Sequence, residues 1–493
     1  MSWGIRALRN LGLEADRDRN FKIFIHDKLN FFADLCKLQN RCALHGIIGD
    51  PFPALYIDDQ DMGTLGNLKI QEIKALAQPS SFGLGNKLVF DENVRKASEI
   101  KGDRIKLDMP EFPYEIQNMA PQGYKIETKL HKLAIYEKDG FFSEHADSVH
   151  GDDHLGTLVL CLPVPHEGGT FILSDDGNEL KLPFDEMTAD GNIAWVAFYT
   201  DVRHQIEVVK SGTRVTLQFD LYVKKAYEQD DLGSFVEKAH GKTGLLCNFQ
   251  DYNQEVLSSI KNKLEKVFSQ KEQLDEENNA KKSQNKDLFE EKKMPEKDSD
   301  HEKSEMEIES ESEDYYDKRK KKRKIPLNPD GSAIMLKRRY AAASLSLDKL
   351  KGSDNALYHF LKDHFVVDVR PIILEQETYP NDDCEPELGE IEVIALYNIR
   401  AVKDVYTSDE EVESNQNSYE DNSSRNEEIQ TISDNSFTKK EKNIWLVSGF
   451  TTKTLFKLVS EEYNENAGNE PQSGFYSYLH AALFIYPKEL QKN

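Results

Sequence analysis

The chain has 493 residues and a formal net charge of −25, with 31% charged and 38% hydrophobic residues. This length allows two or more domains, or one large core that carries long inserts. The acidic balance argues against a protein that grips nucleic acid over its whole surface, because that binding needs a positive face. The sequence shows neither a secretory signal nor an apolar run long enough to span a membrane, so we expect an intracellular protein with no membrane partner.

The cysteines support the same expectation. There are five, and no two of them form a C-x-x-C pair: Cys36, Cys42, Cys161, Cys247 and Cys384. Scattered cysteines in odd number are typical of reduced thiols, so we expect a cytoplasmic or nuclear protein. Cys161 lies within the apolar run "LVLCLP" and is predicted to be a small buried side chain.

Residues 1–129 are predicted to form a mixed α/β flank that supports the core. The segment "LKIQEIKALAQPSSFGLG" predicts a helix that is stopped by Pro79 and Gly83. The segment "ENVRKASEIKGDRIKLDM", residues 92–109, predicts a further helix that leads into a strand.

Residues 130–225 are predicted to form the core, because their pattern changes to short apolar or alternating runs. Examples are "KLAIYEK", "GTLVLCLPV", "NIAWVAFYT" and "RVTLQFDLYV", with Gly, Pro, Asp and Asn between the runs. Such runs indicate antiparallel strands of a jelly roll or barrel. The predicted fold class is therefore mainly β with flanking helices, an α+β protein with long disordered inserts. Trp195, Phe198 and Tyr199 are predicted to fill its core.

The rest of the chain alternates between order and low complexity. We predict a helical extension over residues 226–268, a disordered acidic and basic insert over 269–324, and a C-terminal α/β region over 325–493 with a second disordered insert at 407–443. The basic run Lys318–Lys324 is open to three interpretations: a solvated tail, a nuclear import signal or a nucleic-acid contact.

The segment "GFFSEHADS" carries the first candidate ligands. Side chains alternate along a strand, so His145 and Asp147 are predicted to face the same side and to chelate one ion. His204, in "AFYTDVRHQIEVV", heads another predicted strand and supplies a third candidate ligand. Two histidines and one carboxylate with open positions opposite form the facial triad of non-haem Fe(II) oxygenases. His150, His154 and His166 are predicted to lie in loops, one of which could touch substrate.

Arg214 lies in the strand-like run "GTRVTLQFDLY". Alternation places Arg214 on the face opposite to Val215 and Leu217. An arginine in a barrel interior is costly unless it meets a carboxylate, which a dicarboxylate co-substrate would supply.

Together, Tyr136, "HAD", "GTLVLCLP", the Gly168-Gly169 turn, His204 and Arg214 resemble the 2-oxoglutarate and Fe(II)-dependent dioxygenases, in their prolyl 4-hydroxylase-like branch. The resemblance extends over residues 130–223. It implies that the catalytic core is a double-stranded β-helix, or jelly roll.

The resemblance also implies roles for individual residues. His145, Asp147 and His204 would bind Fe(II), Arg214 would pair with the far carboxylate of 2-oxoglutarate, and the Tyr136 hydroxyl would help to hold that carboxylate. O₂ would be the second co-substrate, 2-oxoglutarate would be decarboxylated to succinate, and ascorbate is a candidate auxiliary reductant.

The implied reaction is the hydroxylation of a residue in a protein substrate, with proline as one candidate. Asp220 departs from the family pattern, because prolyl hydroxylases commonly carry tryptophan six residues after the basic residue. Two alternatives stay open: an interaction scaffold with weak or no activity that recruits partners through its acidic inserts, and nucleic-acid demethylation by the same chemistry. The sequence leaves the oligomeric state open.

Overall fold

The computed structural model describes residues 13–25, 42–84, 87–107, 114–175, 178–226, 254–269, 329–341, 345–379, 387–401, 442–447, 466–467 and 478–488. The basic run Lys318–Lys324 lies outside these residues, and so do the two predicted disordered inserts apart from their edges at Ser269, Lys442 and Asn443.

Strands dominate the described residues. In the first part of the chain they are β1 (Leu13–Arg17), β2 (Phe21–Ile25), β3 (Ala43–Ile48), β4 (Ala54–Ile57), β5 (Gln60–Thr64), β6 (Asn67–Leu68), β7 (Gln78–Pro79), β8 (Phe82–Leu84), β9 (Lys87–Val89), β10 (Arg95–Lys96), β11 (Ser98–Lys101) and β12 (Ile105–Leu107). In the central part they are β13 (Tyr124–Glu137), β14 (Phe141–His145), β15 (His154–Cys161), β16 (His166–Gly168), β17 (Phe171–Asp175), β18 (Asn178–Leu182), β19 (Ile193–Tyr199), β20 (Arg203–Ile206) and β21 (Val209–Lys225). The remaining strands are β22 (Gly331–Met335), β23 (Tyr340–Ala341), β24 (Val366–Tyr379), β25 (Glu387–Ala401), β26 (Lys442–Val447), β27 (Asn466–Ala467), β28 (Tyr478–Leu479) and β29 (Ala481–Tyr486).

The described helices are short. They are α1 (Ile70–Leu76), α2 (Phe184–Met187), α3 (residues 254–269) and α4 (Gly352–Leu361), with 3₁₀ turns at Gly102–Arg104, Tyr114–Met119 and Leu347–Lys349. None of them is long and apolar enough to cross a membrane. The predicted mainly-β fold class is confirmed at this level.

Two antiparallel sheets build the central unit. The larger has the strand order β3-β19-β15-β21-β13-β11-β7, with β16 paired to β21, and the smaller has the order β10-β14-β20-β17-β18. Apolar side chains of both sheets belong to one buried cluster, which includes Leu133, Leu160, Val196, Leu217, Phe142, Leu173 and Ile206. Each such side chain stabilises the fold by roughly 1.5–3 kcal/mol when it is fully buried. The runs predicted as strands between Tyr124 and Val223 lie in this unit, and the buried positions predicted for Cys161, Trp195, Phe198 and Tyr199 are confirmed.

One helix prediction is correct and the other is wrong. Helix α1 forms within "LKIQEIKAL" and ends before Pro79, as predicted. The described residues 92–107 do not form the second predicted helix, because β11 pairs with β13 from Ser98 to Lys101 and buries Ile100 in the core. The strand predicted to follow that helix is present as β12. Pairing with a long central strand outweighs the weak helical preference of this charged segment.

The second unit is a closed barrel. The strand order is β1-β25-β2-β26-β22-β29-β24, and β24 also pairs with β25, which closes a ring of six strands. Along β29, Ala482 and Phe484 face one buried cluster, whereas Leu483 and Ile485 face a second cluster. Apolar side chains of α3 and α4 also belong to that second cluster. They are those of Leu257, Ile260 and Leu264 in α3 and of Leu357 and Leu361 in α4. Helix α4 and strand β24 lie in the region that was predicted to be α/β.

The barrel combines strands that precede the central unit in the sequence with strands that follow it. Strands β1 and β2 pair with β25, and β2 also pairs in parallel with β26. Strands β1 and β2 therefore share a sheet with β22, β24, β25, β26 and β29. The sequence analysis instead grouped residues 13–25 with the flank of the core. The predicted domain boundaries themselves stay a prediction.

Candidate metal centre

Three ligand-type side chains converge between β14 and β20. His145 is the last residue of β14, and its Cα pairs with that of His204 in β20. Asp147 lies beyond the end of β14, where its backbone N–H donates to the Thr200 carbonyl at 3.2 Å. The ligand atoms of His145, Asp147 and His204 all lie within 4.8 Å of one another, and the three residues are buried. The structure thus brings together the three residues that the sequence singled out as metal ligands.

Hydrogen bonds orient each of these side chains. The Nδ1 atoms of His145 and His204 lie 2.8 Å and 3.1 Å from the carbonyl oxygens of Ser143 and Val202. When Nδ1 donates to a carbonyl, Nε2 is the nitrogen that offers a lone pair to a metal. Thr157 donates to Asp147 Oδ2 at 2.5 Å, and Asp147 Oδ1 lies 3.7 Å from His204 Nε2.

Aromatic rings pack around the two histidines and keep them in a low-dielectric environment. The ring centroid of Phe142 lies 3.6 Å from that of His145, while Phe198 and Phe171 lie 4.6 Å and 5.4 Å from His204. Burial, together with the neighbouring His204, lowers the pKa of His145 well below its usual value. The neutral imidazole is the form that binds a metal.

Arg214 and Tyr136 form a buried polar pair inside the same fold. They are Cα partners across β13 and β21, and neither is exposed to solvent. Among the described residues, none provides a hydrogen-bond partner for the three guanidinium nitrogens of Arg214 or for the Tyr136 hydroxyl. Within the same described part of the chain, Thr216 Oγ1 and Gln218 Oε1, on the same face of β21, are also without partners. A buried donor without a partner costs about 1–3 kcal/mol, and more when it is charged.

The donors of Arg214 and Tyr136 fit a carboxylate. No ion pair among the described residues includes Arg214, whose guanidinium instead lies 5.3 Å and 5.5 Å from the ring centroids of Tyr136 and Phe184. Gly169, with φ of +70°, allows the chain to pass close by, since a Cβ there would lie 2.9 Å from Arg214 Cδ. The guanidinium and the phenol can supply several donors to the two oxygens of one carboxylate. The donor set of the centre and these orphaned atoms therefore fit a metal ion and a dicarboxylate.

The barrel holds the loop between β19 and β20 that positions the metal ligands. Asp201 accepts hydrogen bonds from the Arg339 backbone at 3.0 Å and from Lys351 Nζ at 3.1 Å, and Arg338 Nη1 lies 3.5 Å away. Burial would raise the pKa of Asp201, but Lys351 and Arg338 outweigh burial and hold it well below its usual range. Thr200 and Val202, the neighbours of Asp201, provide the carbonyls that contact Asp147 and His204. Sequence analysis missed this contact, because nothing in either segment indicates its partner.

A second cluster of titratable side chains lies beside the first. The ligand atoms of His131, His150 and Asp220 lie within 4.8 Å of one another. His154 and His166, predicted to lie in loops, instead begin strands β15 and β16. Burial lowers the pKa of His131 and of His154 to about 4. The sequence drew attention to Asp220, but it gave no sign that histidines from separate segments surround it.

No protein-family profile and no curated protein sequence matches the chain. Among solved structures, a prolyl-4-hydroxylase of Pseudomonas putida is 16% identical with a TM-score of 0.23, over 39% of this chain and 98% of that one. An oxidoreductase of the 2OG-Fe(II) oxygenase family from Burkholderia pseudomallei is 14% identical with a TM-score of 0.21, over 41% and 95%. A prolyl hydroxylase of Trichoplax adhaerens is 13% identical with a TM-score of 0.21, over 45% and 87%. The similarity is low in each case, so the function proposed for this chain rests on its own side chains.

Proposed function

We propose that the chain is an Fe(II)- and 2-oxoglutarate-dependent dioxygenase, with the two facing sheets of the central unit as a double-stranded β-helix. The observation that carries this proposal is the buried Arg214 guanidinium, whose three nitrogens have no hydrogen-bond partner in the part of the chain that the structure describes. It lies in the same fold as a cluster of two histidines and one aspartate. A dicarboxylate that also ligates a metal would explain both features.

His145, Asp147 and His204 would hold the iron. Bound iron and 2-oxoglutarate would supply hydroxylation of a substrate C–H bond by O₂, with decarboxylation of 2-oxoglutarate to succinate. Two rings and one carboxylate occupy one side of a metal and leave the opposite positions to co-substrates. Ser143, Val202 and Thr157 fix the orientation of the three ligands through the hydrogen bonds described above.

Arg214 and Tyr136 would bind the far carboxylate of 2-oxoglutarate. The pairing would satisfy donors that otherwise remain buried and unpaired, so part of the binding free energy comes from removing that penalty. Phe142, Phe171 and Phe198 would exclude water from the metal side of the pocket, which strengthens each electrostatic contact there.

The substrate is proposed to be a residue of a protein, with proline as the narrower candidate. The net charge of −25 favours a protein target over bare nucleic acid. Asp220 stands where prolyl hydroxylases commonly carry tryptophan, so the substrate side of this site differs from theirs. The location is proposed to be cytoplasmic or nuclear, with Lys318–Lys324 as a nuclear import signal. Ascorbate is proposed as an auxiliary reductant.

Succinate release by the purified full chain with Fe(II), 2-oxoglutarate and O₂ tests the reaction. We expect slow release without substrate, its loss in His145→Ala, and normal release in His359→Ala, which removes a histidine of α4 remote from the site in sequence. In Arg214→Ala, 2-oxoglutarate binding should weaken by 10-fold or more because a charged hydrogen bond contributes about 1.5–3 kcal/mol, while Fe(II) binding changes little.

Two results would contradict the proposal. One is the absence of both succinate and the visible absorption band of an anaerobic Fe(II)·2-oxoglutarate complex. The other is equal loss of Fe(II) and 2-oxoglutarate binding in Arg214→Ala, since that result would make Arg214 a general structural residue.

A further inference from the structure

We propose that His131, His150 and Asp220 form a second divalent-cation site, suited to Zn²⁺, beside the first cluster. This inference does not depend on the oxygenase function. It concerns side chains that the proposed reaction does not use.

The three side chains come from different segments and meet at one point. His131 lies on β13, Asp220 on β21, and His150 in the segment that connects Asp147 to β15. Asp220 Oδ2 lies 2.9 Å from His150 Nδ1 and 3.9 Å from His131 Nδ1. Ligand atoms in a tetrahedral zinc site lie about 3.3 Å apart, given zinc–ligand distances of 2.0–2.1 Å. The two observed distances bracket this value, so small side-chain movements would suffice for coordination.

The charge balance of the cluster favours a cation. Asp220 is almost fully buried, and its ion-pair contacts within the described part of the chain are with histidines alone, at His131, His150 and His154. Tyr222 donates a further hydrogen bond to Asp220 Oδ2 at 3.1 Å. If the imidazoles are neutral, the buried Asp220 carboxylate carries a charge that no lysine or arginine of the described residues balances through an ion pair. Buried charges are usually paired or coordinated to a metal.

His154 supports the cluster without being a ligand. Its Nδ1 accepts the His150 backbone N–H at 3.0 Å, and its Nε2 lies 3.0 Å from the Gly156 carbonyl oxygen. Both ring nitrogens are therefore engaged, which fixes His154 as a neutral tautomer with its proton on Nε2. The ring stacks on His150 at 5.0 Å between centroids and so orients that side chain. Contacts of this kind around a ligand commonly tune metal affinity.

Two imidazoles and one carboxylate are a donor set that Zn²⁺ accepts, with water as the fourth ligand. Coordination through His150 Nδ1 would replace its hydrogen bond with Asp220 and move the ring proton from Nδ1 to Nε2, so that the imidazole binds in its neutral form. The bound ion would tie the segment after Asp147 to β13 and β21. Thr157 connects the two clusters, since it is the Cα partner of Asp220 and donates to Asp147 Oδ2.

Zinc binding by full-length protein tests the site. In a variant with His145→Ala and Asp147→Ala, which removes the first cluster, we expect one Zn²⁺ per chain by equilibrium dialysis and a rise in Tm with added Zn²⁺. Saturation at 100 times Kd corresponds to about 2.7 kcal/mol of added stability. Adding Asp220→Asn should abolish both effects, and adding His359→Ala should change neither.

A second comparison does not depend on whether the variant with His145→Ala and Asp147→Ala folds. In otherwise unaltered protein, Asp220→Asn and His131→Gln should each lower Zn²⁺ stoichiometry by one equivalent, with the circular dichroism spectrum unchanged. The proposal is overturned if the first-cluster variant folds yet binds no Zn²⁺, or if Asp220→Asn leaves the stoichiometry unchanged. Either result would make the cluster a hydrogen-bonded network only.

Discussion

Tyr136 and Arg214 are fully buried, and no described residue forms a hydrogen bond with the Tyr136 hydroxyl or with the guanidinium nitrogens of Arg214. Native proteins pair nearly all such atoms, so each exception calls for an explanation. Here the exceptions cluster on one face of two paired strands. Leaving these atoms unpaired costs free energy, and a carboxylate ligand would remove that cost.

Tyr136→Phe separates a binding role from a packing role. The substitution keeps the ring and removes the hydroxyl, so it should weaken 2-oxoglutarate binding by about 2- to 10-fold, as expected for one hydrogen bond. The ligand-free protein should be no less stable, because an unpaired hydroxyl is lost. Anaerobic calorimetric titration and urea unfolding measure the two effects. Unchanged affinity would assign Tyr136 to the core alone.

Strand alternation explains how much of the site could be predicted. His145 could be assigned to the same side as Asp147 from alternation alone, and Arg214 to an inward face because Val215 and Leu217 lie on the opposite face of its strand. The partners of Asp220 could not be predicted, since His131 and His150 reach it only through the pairing of β13 with β21 and the path of the connecting segment. Long-range register is decided by packing, which a local pattern does not contain.

At the scale of elements, the cluster around Asp220 joins three strands and gives them a shared pH response. The pKa of His131 and of His154 falls to about 4 because both rings are buried, whereas a histidine in the unfolded chain titrates near 6.5. The unfolded state therefore binds more protons between these values. The stability that comes from the neutral rings is present above pH 6.5 and is lost as the pH falls towards 4.

His154→Gln should flatten this response. We expect the free energy of unfolding of the unaltered protein to decrease more steeply from about pH 6.5 to 4 than that of the variant, by up to roughly 1.4 kcal/mol per pH unit for one histidine. Urea unfolding at a series of pH values, in the presence of a chelator, gives both curves. Parallel curves would show that His154 titrates normally. Asp354, whose pKa burial raises to about 6, is common to both proteins and cancels in the comparison.

The segment of residues 92–109 shows where element prediction fails. Its charged composition favours a helix, but β11 is flanked by β7 and β13 in the large sheet. Within β11 the buried side chain is that of Ile100, and its significance depends on a strand that begins later in the chain.

At the scale of the whole molecule, the barrel acts on the candidate metal centre through Asp201. Asp201→Asn removes one charge of a buried group of ion pairs and should destabilise the protein by about 3–5 kcal/mol. It should also weaken Fe(II) binding, because Thr200 and Val202 hold Asp147 and His204. Asp153→Asn is the matched control, since Asp153 meets Lys349 at 2.7 Å in a more exposed position.

The control should cost under about 1 kcal/mol, as exposed ion pairs do. Urea unfolding and an Fe(II) binding isotherm distinguish the two variants. If Asp201→Asn is as mild as Asp153→Asn in both measurements, the barrel contributes no support to the centre.

The pairing of β1 and β2 with strands of the barrel also governs how the chain reaches its native state. These strands are synthesised before the central unit, yet β25 and β26, with which they pair, follow that unit in the sequence. Until then their backbone edges have no native partner, and unpaired edges invite association with other chains. Contacts of such long sequence separation also slow folding. The central unit can therefore assemble during synthesis, whereas the barrel must wait until β29 has been synthesised.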